Sequence, residues 1–332
     1  MMTISRTPIR ISFFGGGSDY WAYCHRKKGA VLGTTVDKYV YISANTLSDF
    51  FDHKIRLGYS KTELAKTPDE IEHPSVRECL KFKQFSSNLD VHIFADFPAK
   101  TGLGSSSSFT TGFLHALYSL ERKTVSKQQL AEEACHIEQK LIGENVGSQD
   151  QFHAAFGGFN RIEFEGERVT VSAVTLTDEK SRQLEEHLMV FYTGLTRFAT
   201  EVVKEQIEKT SSQSNDAYLD RMVEMVYEAQ EMIARVPTDE LPKQFGSLLH
   251  QSWELKKNLS SKITNSFIDG AYAKALQAGA YGGKLCGAGS GGVLALFAPP
   301  DRKAAIREAL SGLLEVPVRF ESEGSSIIYR KE

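Results

Sequence analysis

Apolar positions recur along this chain with two different periods, and the switches between them mark its elements. Short alternating or continuous apolar runs predict strands at Lys38–Asn45, Ile55–Tyr59, Val91–Phe97, Phe159–Phe164, Arg168–Val174, Leu188–Tyr192, Val293–Ala298 and Val316–Tyr329. Helical spacing predicts helices over 105–120, 127–141, 198–211, 215–235, 240–258 and 265–278, with another near Arg302–Leu314. In the 127–141 segment, Leu130, Ala131, Ala134, Cys135 and Ile137 share one face, and Gly143 can end the helix. Strands dominate before residue 185 and helices after it. A doubly wound sheet needs regular alternation, so the expected class is α+β, with an N-terminal domain at 1–185 and a C-terminal domain at 186–332.

Between these elements lie stretches too rich in glycine to be ordinary turns. Pro98 to Ser108 reads as a loop between the strand Val91–Phe97 and a helix start. Gly102 and Gly104 let the backbone turn closely around a ligand, and the serines leave the first helical N–H groups facing an anion. No Lys-Ser or Lys-Thr pair follows the glycines, so this is not a Walker A loop. Arg10 to Tyr20 is a short apolar strand running into Gly15-Gly16-Gly17 and then Asp19, a small space bordered by a cation and an anion. Glu138 to Gln151 carries Glu138 in a last helical turn and Asp150 beyond a loop. In Gly282 to Gly292, six of eleven residues are glycine, too many for an element that only needs to be stable.

These stretches, at residues 7–20, 98–108 and 282–292, resemble in kind and order the three motifs of the GHMP kinases, named for galactokinase, homoserine kinase, mevalonate kinase and phosphomevalonate kinase. The resemblance spans nearly the whole chain. It implies a ribosomal-protein-S5-like first domain, a ferredoxin-like second domain and a site in the cleft between them. The step of twelve from Glu138 to Asp150 resembles galactokinases, which implies a sugar acceptor. Galactokinases carry a Glu-His pair where this chain has Gly16 and Gly17, which argues against galactose. The ensemble of Arg10 to Asp19, Gly29 to Leu32, Val146 to Phe152, Ala155 to Asn160 and Tyr192 to Arg197 is most similar to kinases that place a phosphate on the anomeric hydroxyl of D-glycero-D-manno-heptose 7-phosphate, on the way to GDP-heptose. Two other readings stay open: a kinase of the same fold for fucose or a hexose, and a non-catalytic sensor of ATP and sugar. Arg10, Ser106, Glu138 and Asp150 are all present, which favours the enzyme.

Phosphoryl transfer needs charge neutralisation and in-line positioning more than covalent help. The resemblance implies ATP at Lys100, Gly102, Leu103, Gly104, Ser105, Ser106 and Ser107, and Mg2+ on Ser106 and Glu138, a hydroxyl and carboxylate pair suited to a hard cation that keeps several waters. Asp150 can accept the proton of the acceptor hydroxyl, with Arg10 pairing it and stabilising transferring charge. On the acceptor side stand Gly16, Gly17, Ser18 and Asp19, with Gly287 and Gly289 of the third motif. Arg197 and Lys284, each beside glycine turns, are the candidates for a phosphate on the acceptor.

Composition narrows the partners. The chain has 332 residues, 41% hydrophobic, and a net charge of −3, enough for two ordinary cores. No basic block interleaved with aromatics points to nucleic acid, and no run approaches the roughly 18 apolar residues of a membrane span. Met1 to Arg6 lacks an apolar leader, so a cytoplasmic protein is expected, and a homodimer is compatible with all of this. Cys24, Cys79, Cys135 and Cys286 are too scattered for a zinc site or a disulfide framework.

Overall fold

Two long strands carry the architecture. Met2–Phe14 runs antiparallel to Gly29–Thr46, from Met2 opposite Asn45 to Phe14 opposite Leu32. The register shifts just after Pro8, which has no N–H for the ladder. The computed structural model describes residues 1–98, 102–195 and 199–331. Among them the first sheet has nine strands. Its main order is Ser326–Lys331, Met2–Phe14, Gly29–Thr46, Leu89–Ala95, Ile55–Gly58 and Thr62–Ala65; Phe159–Glu165 and Phe320–Glu321 also pair with the second long strand, and Arg168–Ala173 pairs with Phe159–Glu165. A second sheet of four antiparallel strands has the order Leu314–Glu315, Leu188–Tyr192, Val293–Phe297, Gly282–Cys286. The mixed architecture matches the expected α+β class.

The Ser105–Leu120 helix lies across the two long strands with most of its residues buried. Small side chains allow that approach. A Cβ on Gly112 would stand 2.5 Å from Thr7 Oγ1, and the Ser5 hydroxyl donates to the Gly112 carbonyl at 2.8 Å. The expected 127–141 helix is α-helical over Lys127–His136 and widens to a π-helix at Ile137–Ile142, which carries Glu138. Such bulges are frequent at functional positions.

Two expectations change. Residue 185, the expected division, lies inside the Asp178–His187 helix, and the expected Val316–Tyr329 strand is broken into Phe320–Glu321 and Ser326–Lys331. Both pieces pair with the first sheet, so the chain returns to it after building the second. The two sheets also share one core: Ile9, Ile11 and Phe13 pack with Val190, Val293, Phe245 and Phe297. At its centre, Phe245 meets Phe13, Phe14 and Phe297 with ring centroids 5.3, 5.1 and 5.1 Å apart, edge-on in each case. Contacts of this geometry add about 0.5–1.5 kcal/mol each beyond burial. They fix the second sheet against the strand that carries Arg10.

Candidate active site

Arg10 ties three sequence motifs into one structure. Its Nε donates to Asp150 Oδ1 at 2.8 Å, and its Nη2 lies 2.6 Å from the same oxygen. Its Nη1 donates to the Gly102 carbonyl at 2.8 Å, and its backbone N–H donates to the Leu103 carbonyl at 3.0 Å. The arginine side chain is 6% exposed and that of Asp150 is 25% exposed, so the carboxylate is the member of the pair open to a ligand. Asp150 sits in the first turn of the Gln149–Phe156 helix, whose N-terminus favours its charge. Gly104, at φ +76°, is the N-cap of the Ser105–Leu120 helix, and a Cβ there would press to 3.3 Å from Asp150 Cγ and Oδ2. The glycine thus lets the carboxylate stand directly over the helix N-terminus. No side chain caps that end, which leaves the N–H groups of the first turn available to an anion.

Glu138 closes the other side of the same helix end. It is 1% exposed, and its Oε2 accepts from Ser107 Oγ at 2.8 Å and from the Gln151 side-chain amide. Its Oε1 is buried and makes no hydrogen bond of good geometry, although the Thr110 hydroxyl, which donates to the Ser106 carbonyl at 3.3 Å, lies close enough to favour the ionised carboxyl. Burial pushes the carboxyl up to about 7 against the hydroxyl and amide groups around it. The resemblance implies Mg2+ on Ser106 and Glu138; the hydroxyl that bonds Glu138 directly is that of Ser107. Helical rotation turns Ser107 inward to Glu138 and leaves Ser106 exposed. Among the described residues no group of three or more His, Cys, Asp or Glu is arranged to hold a metal. A cation at this end would rest on one carboxylate, serine hydroxyls and water, the donor set magnesium accepts. The unpartnered Oε1 fits it.

The first motif is folded on itself. Asp19, 2% exposed, accepts at Oδ1 from Gly17 N–H and from Gln149 Nε2, both at 3.0 Å, and at Oδ2 from Gln149 N–H at 3.3 Å. Burial raises its pKa, and the neighbouring charge of Asp150 raises it further. Gly147 permits this: a Cβ there would fall 1.9 Å from Asp19 Oδ2. Ser18 is wholly buried, its hydroxyl on the carbonyls of Gly15 and Ala30 at 2.8 and 3.0 Å, so it closes the loop and does not face a ligand. Beside the loop, Ser12 Oγ and Gln149 Oε1 are buried without partners. A Cβ on Gly16 would stand 3.6 Å from that hydroxyl and 3.8 Å from Gln149 Nε2.

The third motif packs directly on the phosphate loop: a Cβ on Gly287 would fall 2.5 Å from Gly102 Cα. Gly289, at φ +127°, is pressed against Ile263 and so spaces the loop. Lys284 does not reach out as expected. It lies within the Gly282–Cys286 strand, 2% exposed, and its Nζ donates to the carbonyls of Ser12 and Phe13 at 2.9 and 3.1 Å. Lys100 and Arg197 lie outside the described residues. Sequence reasoning missed Lys256, which ends the Leu241–Lys256 helix, is 6% exposed and donates to the Gly287 carbonyl at 2.6 Å. Next to Lys257 in sequence it looks like any solvated lysine at a helix end, and only its burial sets it apart.

Comparison with known proteins accords with this arrangement. The GHMP kinases N terminal domain matches residues 74–158, which hold the phosphate loop, Glu138 and Asp150, and the GHMP kinases C terminal domain matches residues 238–315, which hold Lys256 and the third motif. The chain is 27% identical over 321 residues to a D-glycero-alpha-D-manno-heptose 7-phosphate kinase of Campylobacter jejuni, covering 93% of this chain and 94% of that one. It is 25% identical over 339 residues to a bifunctional fucokinase/GDP-fucose pyrophosphorylase of Arabidopsis thaliana, covering 94% of this chain and 31% of that one. Its fold superposes with a TM-score of 0.79 on the crystal structure of a D-glycero-D-manno-heptose 1-phosphate kinase from Bacteroides thetaiotaomicron, at 21% identity and complete coverage of both chains. With both domains matched and the whole fold shared, the chain belongs to the GHMP kinase family.

Proposed function

We propose that this protein is an ATP-dependent sugar kinase that phosphorylates the anomeric hydroxyl of D-glycero-D-manno-heptose 7-phosphate, giving the 1,7-bisphosphate on the way to GDP-activated heptose. The observation that carries a kinase reading is the Arg10–Asp150 pair seated on the carbonyl of Gly102, beside the uncapped N-terminus of the Ser105–Leu120 helix. A carboxylate that faces solvent on one side and a fixed guanidinium on the other can accept the proton of an incoming hydroxyl. The same guanidinium, bonded to the phosphate loop, holds positive charge beside the phosphoryl group in transit. The N–H groups at the start of the helix take the nucleotide phosphates. Glu138, with the hydroxyls of Ser106 and Ser107, would hold Mg2+, which neutralises phosphate charge when bound. The heptose phosphate acceptor is supported by the Campylobacter jejuni relative, matched over 93% of this chain and 94% of that one, and by Gly16, where a side chain would meet nothing closer than 3.6 Å.

An ATP-consumption assay over heptose 7-phosphate, heptose, fucose, galactose and mannose tests the reading. The heptose phosphate is expected to give the highest kcat/KM. A preference for an unphosphorylated sugar would overturn the acceptor assignment, and no ATP consumption with any sugar would overturn the kinase.

A further inference from the structure

Two lysine ammonium groups are buried together at the junction of the first and third motifs. Lys256 Nζ is held by the Gly287 carbonyl and Lys284 Nζ by the carbonyls of Ser12 and Phe13. Among the described residues, neither has a carboxylate within 4.0 Å. Burying one ammonium without an anion is costly, and burying two near each other is costlier. Burial pushes Lys256 down to about 7, and the charge of Lys284 pushes in the same direction. Burial brings Lys284 down to about 8. A tether to a carbonyl does not require a cation, since a neutral donor would serve as well. Such an arrangement marks a place where an anion arrives.

We propose that Lys256, backed by Lys284, anchors the phosphate group that the acceptor already carries, a monoester dianion. This rests on the reading of the acceptor as a sugar phosphate. Lys256 uses one of its three N–H donors on Gly287, which leaves two for phosphate oxygens. The groups whose charge acts on both lysines are Cys286 of the third motif and Arg10 and Asp19 of the first, the acceptor side, and Glu138, which bonds Ser107 of the Ser105 helix, is not among them. Lys256 is also one loop removed from the reacting pair: Gly287, which it holds, abuts Gly102, which Arg10 holds. A phosphate at the opposite end of a sugar from the attacked hydroxyl needs such an offset.

The test uses the full chain carrying Lys256→Met, with Lys256→Arg beside it, and reads acceptor KM with heptose 7-phosphate, ATP KM, kcat and melting temperature. Lys256→Met is expected to raise acceptor KM by roughly 30-fold or more, as loss of one partner of a buried charge pair does. ATP KM should stay within about threefold, and the melting temperature should hold or rise because an uncompensated charge has gone. Lys256→Arg should recover part of the acceptor affinity. A rise in ATP KM with acceptor KM unchanged would overturn the proposal, and so would a lower melting temperature with both KM values intact, the mark of a tether only. Wild-type protein that uses dephosphorylated heptose equally well would fell the functional reading and this anchor with it. A wild type that demands the phosphate, with Lys256→Met keeping the demand, fells the anchor alone.

Discussion

Replacing Asp150 with asparagine separates its chemical role from its structural one. The amide keeps an oxygen at the position of Oδ1, so the bonds from Arg10 Nε and Nη2, at 2.8 and 2.6 Å, survive with a neutral acceptor. The structural loss is then the difference between hydrogen bonds to charged and neutral groups, about 1–2 kcal/mol, discounted because the carboxylate is a quarter exposed. A chain with a few kcal/mol in hand stays folded after that. Turnover should fall by roughly 10² to 10⁴, the usual worth of a positioned base, or about 3–5 kcal/mol at 1.36 kcal/mol per decade. The catalytic loss therefore exceeds the structural one and cannot arise from unfolding. ATP affinity by calorimetry should change little or improve slightly, since the substitution removes a negative charge that stands over the helix N-terminus at Gly104. Were Asp150 only a favourable charge in the first turn of its helix, its loss would cost about 0.3–1 kcal/mol of stability and leave the rate alone. Turnover within tenfold of wild type, with a small drop in melting temperature, would refute the assignment.

Three further outcomes follow from the geometry. Glu138→Gln should shift the magnesium titration of turnover to higher concentration by at least tenfold, because the open Oε1 loses its charge; an unchanged titration removes Glu138 from the metal site. Gly17→Ala should destabilise the protein by about 1–2 kcal/mol, since Gly17 holds φ +110° and a Cβ would lie 2.7 Å from Gln206 Nε2, while Gly16→Ala meets nothing closer than 3.6 Å and should melt near wild type. Lys256 binds its proton less tightly folded, at about 7, than in the unfolded chain, at 10.5; stability should therefore rise with pH between those values, and denaturant titrations of Lys256→Met should show a shallower slope there.

The longer helices were legible because their periodicity survives in the sequence: 105–120 matches the observed helix at both ends, and 240–258 overshoots Leu241–Lys256 by one residue at its start and two at its end, whereas the shorter Pro74–Lys83 and Asp178–His187 were not read. The second long strand was half legible. Residues 40–46 alternate in burial and read as a strand, whereas 29–36 are buried on both faces and carry no period. The last strand region was read as one piece because apolar residues continue through it, yet Pro317 and Gly324 break it, the latter with room for no Cβ against the Ala155 carbonyl. At the site, Arg10, Asp150 and Glu138 could be singled out because chemistry restricts their types. Which of the four serines bonds Glu138 directly could not be told without the helix start. Lys284 was singled out for lying near glycines, but it is buried within its strand with Nζ on the carbonyls of Ser12 and Phe13, a position no local pattern gives. Lys256 has no local signal at all, since its burial is made by segments far away in sequence.

Phosphorus-to-proton correlation NMR on the product made from ATP and heptose 7-phosphate tests the central claim most directly. Two phosphate signals are expected, one retained at position 7 and one new signal coupled to the anomeric proton, with one ADP formed per sugar. A new phosphate coupled to any other carbon-bound proton, or ADP without a phosphorylated sugar, would contradict it.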